Sequence, residues 1–155
     1  MNNAKRAQSS FELLVTLSVG LAILLPLIII AFVQLAGVSA SLSAIEAQQA
    51  ASKLANVATL VGSEGPPATE LVQIQIPPNV RSAYVGNLTN GIGHEIVFVI
   101  NAQNGASYIT VYTPVNVSGN IGGIVSAGTY LINVTATSAC PNNLAVQCVY
   151  ISPSV

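Results

Sequence analysis

The sequence has few of the residues on which enzymes and nucleic-acid-binding proteins depend. Among 155 residues there are four lysines and arginines and five acidic residues, and aspartate is absent. A protein that binds nucleic-acid phosphates needs a basic face, which four dispersed cations cannot provide. The chain is also too apolar, at 52% hydrophobic residues, for an intrinsically disordered protein. Composition therefore argues against a nucleic-acid partner and against a disordered tail.

Catalytic and metal-binding side chains are equally scarce. His94 is the only histidine, so neither a histidine-based metal site nor a Ser-His-Asp triad can be assembled. We expect His94 to lie in a solvated loop. The glycine-rich residues 119–123 lack a lysine and a following helix, and they predict a turn instead of a phosphate-binding loop. The sequence therefore predicts no enzyme activity, no metal and no cofactor.

What the sequence does contain is a long apolar segment near the N-terminus. Residues 13–45 include no charged side chain. A helix of about 20 apolar residues is long enough to cross a bilayer. Lys5 and Arg6 precede the segment, and positive residues tend to stay on the cytoplasmic side. We therefore expect a membrane-spanning helix, with the rest of the chain outside the cell.

Three interpretations of this N-terminus compete. A secretory signal peptide would be cleaved after Ala40, but its apolar core is usually only roughly 7 to 15 residues long. A permanent signal anchor would leave Glu12, at the start of the apolar segment, as a costly charge without a role. The third interpretation, which we favour, makes Glu12 part of a processing and assembly signal.

The third interpretation depends on a short motif directly before the apolar segment. It consists of a basic pair, a small residue and three further fixed positions: Lys5, Arg6, Ala7, Gln8, Ser10 and Glu12. This motif resembles the class III signal peptide of archaeal type IV pilins. In that family a prepilin peptidase cuts before the glutamine, on the cytoplasmic side, and leaves the apolar helix on the mature protein. The resemblance implies removal of residues 1–7 by cleavage between Ala7 and Gln8.

The resemblance also implies a function. Type IV pilins insert into the membrane and then polymerise through their N-terminal helices into a surface filament, usually an adhesive one, with the help of a secretion ATPase and a membrane platform protein. Glu12 would pair with the α-amino group created at Gln8, either in its own subunit or in a neighbour. Two alternatives stay open, a minor pilin and a membrane-anchored extracellular solute-binding module with a similar signal peptide.

Helical periodicity continues beyond the membrane segment. Apolar residues recur at helical spacing, with many alanines between them, as far as residue 61. We therefore predict one helix over residues 8–61, in which Pro26 causes a kink, followed by a Gly/Pro linker over residues 62–70. The predicted outer domain comprises residues 71–155.

Alternating apolar and polar residues predict that the outer domain is built from strands. Turn residues separate seven candidate strands, at residues 71–76, 80–85, 95–100, 107–113, 121–125, 129–137 and 145–151. Such a number of short strands is typical of a small antiparallel β-sandwich of the Ig-like kind. We therefore expect an α+β protein, with a long apolar helix followed by a β-sandwich.

Two sets of residues in the outer domain are candidates for covalent modification. Cys140 and Cys148 predict a disulfide, because two thiolates without histidine cannot complete a zinc shell; two thiols buried in the core are the alternative. Asn87, Asn116 and Asn133 each begin an Asn-x-Ser/Thr sequon, the acceptor for N-glycosylation. In the strand that carries it, Asn133 should face solvent, opposite the apolar side chains.

Overall fold

The computed structural model describes residues 2–87, 91–102, 105–141 and 143–154, and their side chains except at positions 2–10, 36, 37, 39 and 40. Within these residues one helix precedes six strands: α1 (Asn2–Glu64), β1 (Thr69–Ile76), β2 (Val80–Gly86), β3 (Gly93–Ala102), β4 (Gly105–Gly119), β5 (Gly128–Thr137) and β6 (Cys148–Pro153). The chain forms two compact units, Met1–Ser39 and Ala40–Val155. The expected α+β class is confirmed.

The first unit consists of the apolar part of α1. Residues Phe11–Leu35 have the length and composition of a membrane span, and all of their side chains are exposed. The few hydroxyl groups in this segment bond to the helix itself: Thr16 Oγ1 donates to the carbonyl of Glu12 at 2.8 Å, and Ser18 Oγ donates to that of Leu14 at 2.7 Å. These hydroxyl groups therefore need no water, which suits an apolar surrounding.

In the second unit, α1 packs against a sheet through small residues. Ala47, Ala51 and Ala58 are completely buried, as is Leu54. Alanines three and four residues apart lie on one face of a helix and let the helix backbone come close to the sheet. The alanines of this part of the helix therefore form a packing face against the sheet.

The helix continues past the predicted end at residue 61. Gly62 remains in the helix, and the absence of a side chain there makes room for β4. A Cβ at this position would lie 2.9 Å from Val115 Cγ1. The helix stops at Gly65, which adopts a φ of 76° and donates its N–H to the carbonyl of Val61 at 3.1 Å. Glycine in this left-handed conformation, followed by proline, is a common helix terminus.

The six strands form a single mixed sheet in the order β1-β5-β6-β4-β3-β2. All neighbours are antiparallel except β4 and β6, which run parallel over residues 117–119. The predicted Ig-like sandwich is therefore not confirmed. The apolar side chains of α1 and of one sheet face belong to the same buried cluster, so the helix covers the face that a second sheet would cover in a sandwich.

Most of the predicted strands are present, and one is not. Residues 121–125 form a turn, in which the N–H of Ile124 donates to the carbonyl of Ile121 at 3.0 Å. Both isoleucines are buried, so their apolar character comes from closing the core. The turn predicted for residues 119–123 begins only after Gly119, where β4 ends and pairs with β6.

Lys53 of α1 contacts the open edge of the sheet. The edge strand β1 has only β5 as a neighbour. Lys53 Nζ donates to the carbonyl oxygen of Gln73 in β1 at 2.7 Å, and both residues line a polar groove between the helix and this strand. The ammonium group therefore uses a backbone acceptor on the outermost strand.

The close fit of α1 on the sheet yields a first prediction. Ala51→Leu adds carbon atoms where none fit, so we expect the free energy of unfolding to fall by about 1 to 3 kcal/mol. Denaturation of the full chain in detergent, followed by near-ultraviolet circular dichroism, measures it, since every tyrosine lies in the second unit. Asn56→Leu, which adds a leucine at an exposed position of α1, is the control. Equal unfolding midpoints for the two variants would contradict the packing described.

Candidate functional site

The N-terminal motif lies on α1, at the start of the apolar segment. Ala7, Gln8 and Ser10 are in the helix, but their side chains lie outside the described part of the chain. The side chain of Glu12 is exposed and forms no ion pair with any side chain that the structure describes. Gln8 and Glu12 are four residues apart on the helix. Pro26 lies within the same helix.

Apolar exposure on α1 extends beyond the length of a membrane span. In the second unit, Leu42, Ile45 and Leu60 of the helix are each more than half exposed, at 54%, 55% and 51%. The other exposed side chains between Ile45 and Leu60 are polar or charged: Gln48, Gln49, Lys53 and Asn56. The exposed side of α1 is therefore apolar close to the span, at Leu42 and Ile45, and polar over residues 48–56.

The three sequons occupy different places in the second unit. Asn133 lies in β5 on the side of the sheet opposite the helix, which we call the outer face, because Ile132 and Val134 on either side of it are buried in the core. The predicted outward orientation of Asn133 is therefore confirmed. Asn116 lies in β4, and Asn87 follows β2. The next two residues after Asn87 lie outside the described part of the chain.

Asn116 lines a small cleft beside the disulfide. The cleft has a volume of about 260 Å³, and His94, Thr137 and Cys148 also line it. Asn116 Nδ2 donates to the carbonyl of Gln147 at 3.5 Å, and Thr137 Oγ1 donates to that of Cys148 at 2.9 Å. Most polar groups around the cleft are thus already engaged within the protein.

His94 bonds to backbone carbonyl groups where the pairing of β3 and β4 is irregular. It lies in β3, not in the predicted loop, although it is exposed as expected. The register between β3 and β4 shifts at this point, where β4 contains Pro114. His94 Nδ1 lies 3.2 Å from the carbonyl oxygens of both Thr113 and Val115, so this nitrogen carries the proton and donates to them. These hydrogen bonds give His94 a structural role in the sheet.

Cys140 and Cys148 form the predicted disulfide. Their Cα atoms are 5.5 Å apart, within the usual range for such a bridge, and both residues are buried. The bridge connects the segment after β5 with the first residue of β6, and Cys148 pairs with Thr137 of β5.

We expect the disulfide to stabilise the second unit appreciably. Replacing both cysteines by serine should lower the free energy of unfolding by about 2 to 3 kcal/mol, because the closed loop no longer restricts the unfolded chain. Chemical denaturation of the oxidised wild type and the double variant measures the difference. The same comparison under reducing conditions is the control, since the two chains should then differ much less. Titration of two free thiols in unreduced, denatured wild type would contradict the bridge itself.

Some features of this region have no signal in the sequence. Ser118, the third residue of the Asn116 sequon, is completely buried, and its Oγ has no hydrogen-bond partner among the described residues. The contact of Lys53 with Gln73 and the hydrogen bonds of His94 also depend on strand register and on packing between residues that are far apart in the sequence. A serine in a sequon predicts exposure, and only the strand pairing reveals that it is enclosed.

Chemical groups for a metal site do not converge in this structure. Across the described ranges, no group of three or more His, Cys, Asp or Glu side chains could hold a metal ion. No protein-family model, curated protein or solved structure matches the chain. The geometry of the helix and sheet must therefore support any functional argument by itself.

Proposed function

We propose that this protein is a structural subunit of an extracellular filament of the archaeal type IV pilus kind, and that it has no enzyme activity. The observation that carries the proposal is the apolar surface of α1. Every side chain of Phe11–Leu35 is exposed, and this surface requires an apolar environment. At the standard rise the segment is about 37 Å long, sufficient to cross a bilayer.

Lipid can cover this surface only while the subunit remains in the membrane. Leu42 and Ile45 are exposed a short distance beyond the span, whereas the exposed side chains between Ile45 and Leu60 are polar or charged. When subunits leave the membrane, neighbouring helices must replace lipid as the apolar surrounding of the span. Assembly through the helices follows from this exchange.

In this proposal the sheet is displayed outward and mediates adhesion. Tyr108 and Tyr112 project from β4 and are 64% and 75% exposed, and amphipathic aromatic side chains are common at contact surfaces. Glycans on the sequons would keep soluble a domain that has few charges. A prepilin peptidase, a secretion ATPase and a membrane platform protein would act during processing and assembly.

The cleft beside His94 does not favour the alternative of a solute-binding module. Its volume of about 260 Å³ is smaller than most ligand sites, and its lining contains no carboxylate, lysine or arginine. Its amide and hydroxyl groups bond to backbone carbonyls. We therefore propose no ligand for this cleft.

The proposal is tested by analysing filaments sheared from cells that express the chain. Electron microscopy should show filaments, and mass spectrometry should identify this chain as their main component, with Gln8 as its N-terminal residue. A minor pilin would be present in small amounts beside another main component. Recovery only from detergent-extracted membranes, or a mature N-terminus at Ser41, would reject the filament subunit in favour of an anchored or secreted protein.

A further inference from the structure

Two of the three sequons lie on the strands that flank β6. The sheet order places β6 between β5 and β4. Tyr150 of β6 is the register partner of Ser118 in β4 and also of Thr135 in β5. These two residues supply the hydroxyl groups of the Asn116 and Asn133 sequons. One strand therefore packs beside both acceptor sequences.

The Asn116 sequon is closed in the folded domain. A sequon is defined by its asparagine and by the hydroxyl group two residues later, so the glycosyltransferase must reach both. The hydroxyl group of Ser118 is completely buried, and Asn116 Nδ2 donates to the carbonyl of Gln147. Gln147 directly precedes β6, so this hydrogen bond and the enclosure of Ser118 both form when β6 takes its place.

The Asn133 sequon is held in a different way. Asn133 points to the outer face, but its backbone is paired with Leu71 of β1 on one side and with Ser152 of β6 on the other. Thr135 Oγ1 donates to Asn133 Oδ1 at 3.4 Å and accepts a hydrogen bond from Thr69 Oγ1 at 3.2 Å. An extended strand paired on both sides cannot bend to present its asparagine and its hydroxyl group together.

Asn87 differs from both. It lies between strands, after the last register pair of β2 and β3, Gly86 with Glu95. Its Oδ1 accepts the N–H of Gly91 at 2.6 Å, and its side chain remains partly exposed. No register pair of β6 includes Asn87, so this site is the comparison in the experiments below.

We propose that insertion of β6 between β4 and β5 ends glycan transfer to Asn116 and Asn133. This inference rests on the proposed function, in that the domain is exported and glycosylated. In the transfer step, Asn Nδ2 bonds to C1 of a sugar, the bond from C1 to the phosphate of a lipid-linked donor breaks, the phosphate leaves with the electron pair, and the amide loses one proton to a base of the enzyme.

The order of the strands along the chain creates the interval for this transfer. Both β4 and β5 precede β6, so a chain exported from its N-terminus presents Asn116 and Asn133 before β6 can pair. The disulfide shortens the interval, since it holds Cys148, the first residue of β6, beside the end of β5. Slower docking of β6 should therefore raise the glycan occupancy of these two sites alone.

The experiment compares full-length wild type with a Cys140→Ser, Cys148→Ser variant in a glycosylating host, using glycopeptide mass spectrometry. We expect occupancy at Asn116 and Asn133 to rise at least twofold in the variant, with Asn87 unchanged. Unchanged occupancy at Asn116 and Asn133 in the variant, or an equal rise at all three sites, would overturn the proposal. Absence of glycan from every site in both chains would also overturn it, while electron microscopy would still score filament formation separately.

A second measurement covers the case in which the variant is degraded. Oxidised full chain, folded in detergent, and full chain that has been unfolded, reduced and alkylated are each incubated with the oligosaccharyltransferase and its lipid-linked donor. Alkyl groups on two buried cysteines prevent refolding. Transfer to Asn116 and Asn133 in the alkylated chain but not in the folded chain supports the proposal. Equal transfer to Asn116 and Asn133 in both chains refutes it.

Discussion

Glu12→Gln is expected to abolish most filament formation while leaving the precursor processed at Gln8 and inserted in the membrane. Glu12 is the only charged residue of the Phe11–Leu35 segment, and it has no ion-pair partner among the described side chains. Covering it with apolar neighbours would cost several kcal/mol, about 3 to 5 for a buried charge without its partner. A filament built through this helix must therefore supply a positive group close to Glu12.

The α-amino group of Gln8, created by cleavage, is the group that we expect to pair with Glu12. Within one subunit the two are four residues apart on the helix and can meet. Between subunits, the amine of each incoming chain would reach Glu12 of a chain already assembled and so set the axial register. Only the second pairing makes assembly depend on the charge, because glutamine can be buried without an ionic partner.

The measurement is filament yield per cell, by shearing and quantitative mass spectrometry, with the mature N-terminus determined in the membrane fraction. Glu64→Gln, at an exposed position at the end of the same helix, is the matched control and should assemble normally. If Glu12→Gln is processed at Gln8 and forms filaments at the wild-type yield, the only role left for Glu12 is to balance the charge of its own N-terminus. Failure of cleavage in this variant would assign the residue to peptidase recognition instead.

The second large effect is expected from Gly119→Ala. Gly119 ends β4, where this strand runs parallel to β6 and pairs with Ile151. A Cβ at Gly119 would overlap the carbonyl oxygen of Ile151 and would lie 2.9 Å from its carbonyl carbon. Because the obstacle is backbone, relief requires the two central strands to separate. We expect a loss of about 3 kcal/mol or more in the free energy of unfolding, in the range that accompanies core strain.

Gly123 provides the control, since a Cβ there would meet nothing within 4 Å. Gly123→Ala lies in the same connection between β4 and β5 and should change the unfolding free energy by less than about 0.5 kcal/mol. Both variants are compared by chemical denaturation of the full chain in detergent. A Gly119→Ala variant as stable as Gly123→Ala would mean that β4 and β6 do not pair as described.

Local patterns predicted the local structure well and the global arrangement poorly. The apolar segment, the alternation in β1 and β5 and the disulfide could be read directly because each depends on neighbouring residues. The single sheet could not be predicted in this way, because β6 inserts between β4 and β5, which both precede it in the chain. No pattern in residues 148–153 indicates with which strands they pair. Residues 121–125 look like a strand because they include buried isoleucines, and burial alone does not distinguish a strand from a turn that closes the core.

The candidate sites show the same division. The motif around Glu12 is recognisable because its residues are consecutive, whereas the state of a sequon depends on distant residues. Ser118 and Thr135 look alike in sequence, and only the strand pairing reveals that both lie beside Tyr150 of β6. Gly62 suggests a helix end in the sequence, but in the structure it lies within α1 and packs against β4.

The bond from Lys53 to the carbonyl of Gln73 has a consequence for how subunits can associate. The outermost strand of a sheet is a template on which a strand from another molecule can add, and closely packed subunits meet at concentrations that favour such addition. On β1 an incoming strand would first have to displace an ammonium group that already uses a backbone acceptor. Strand addition is thereby discouraged on this side of the sheet, and in the proposed filament association is left to the apolar surface of α1.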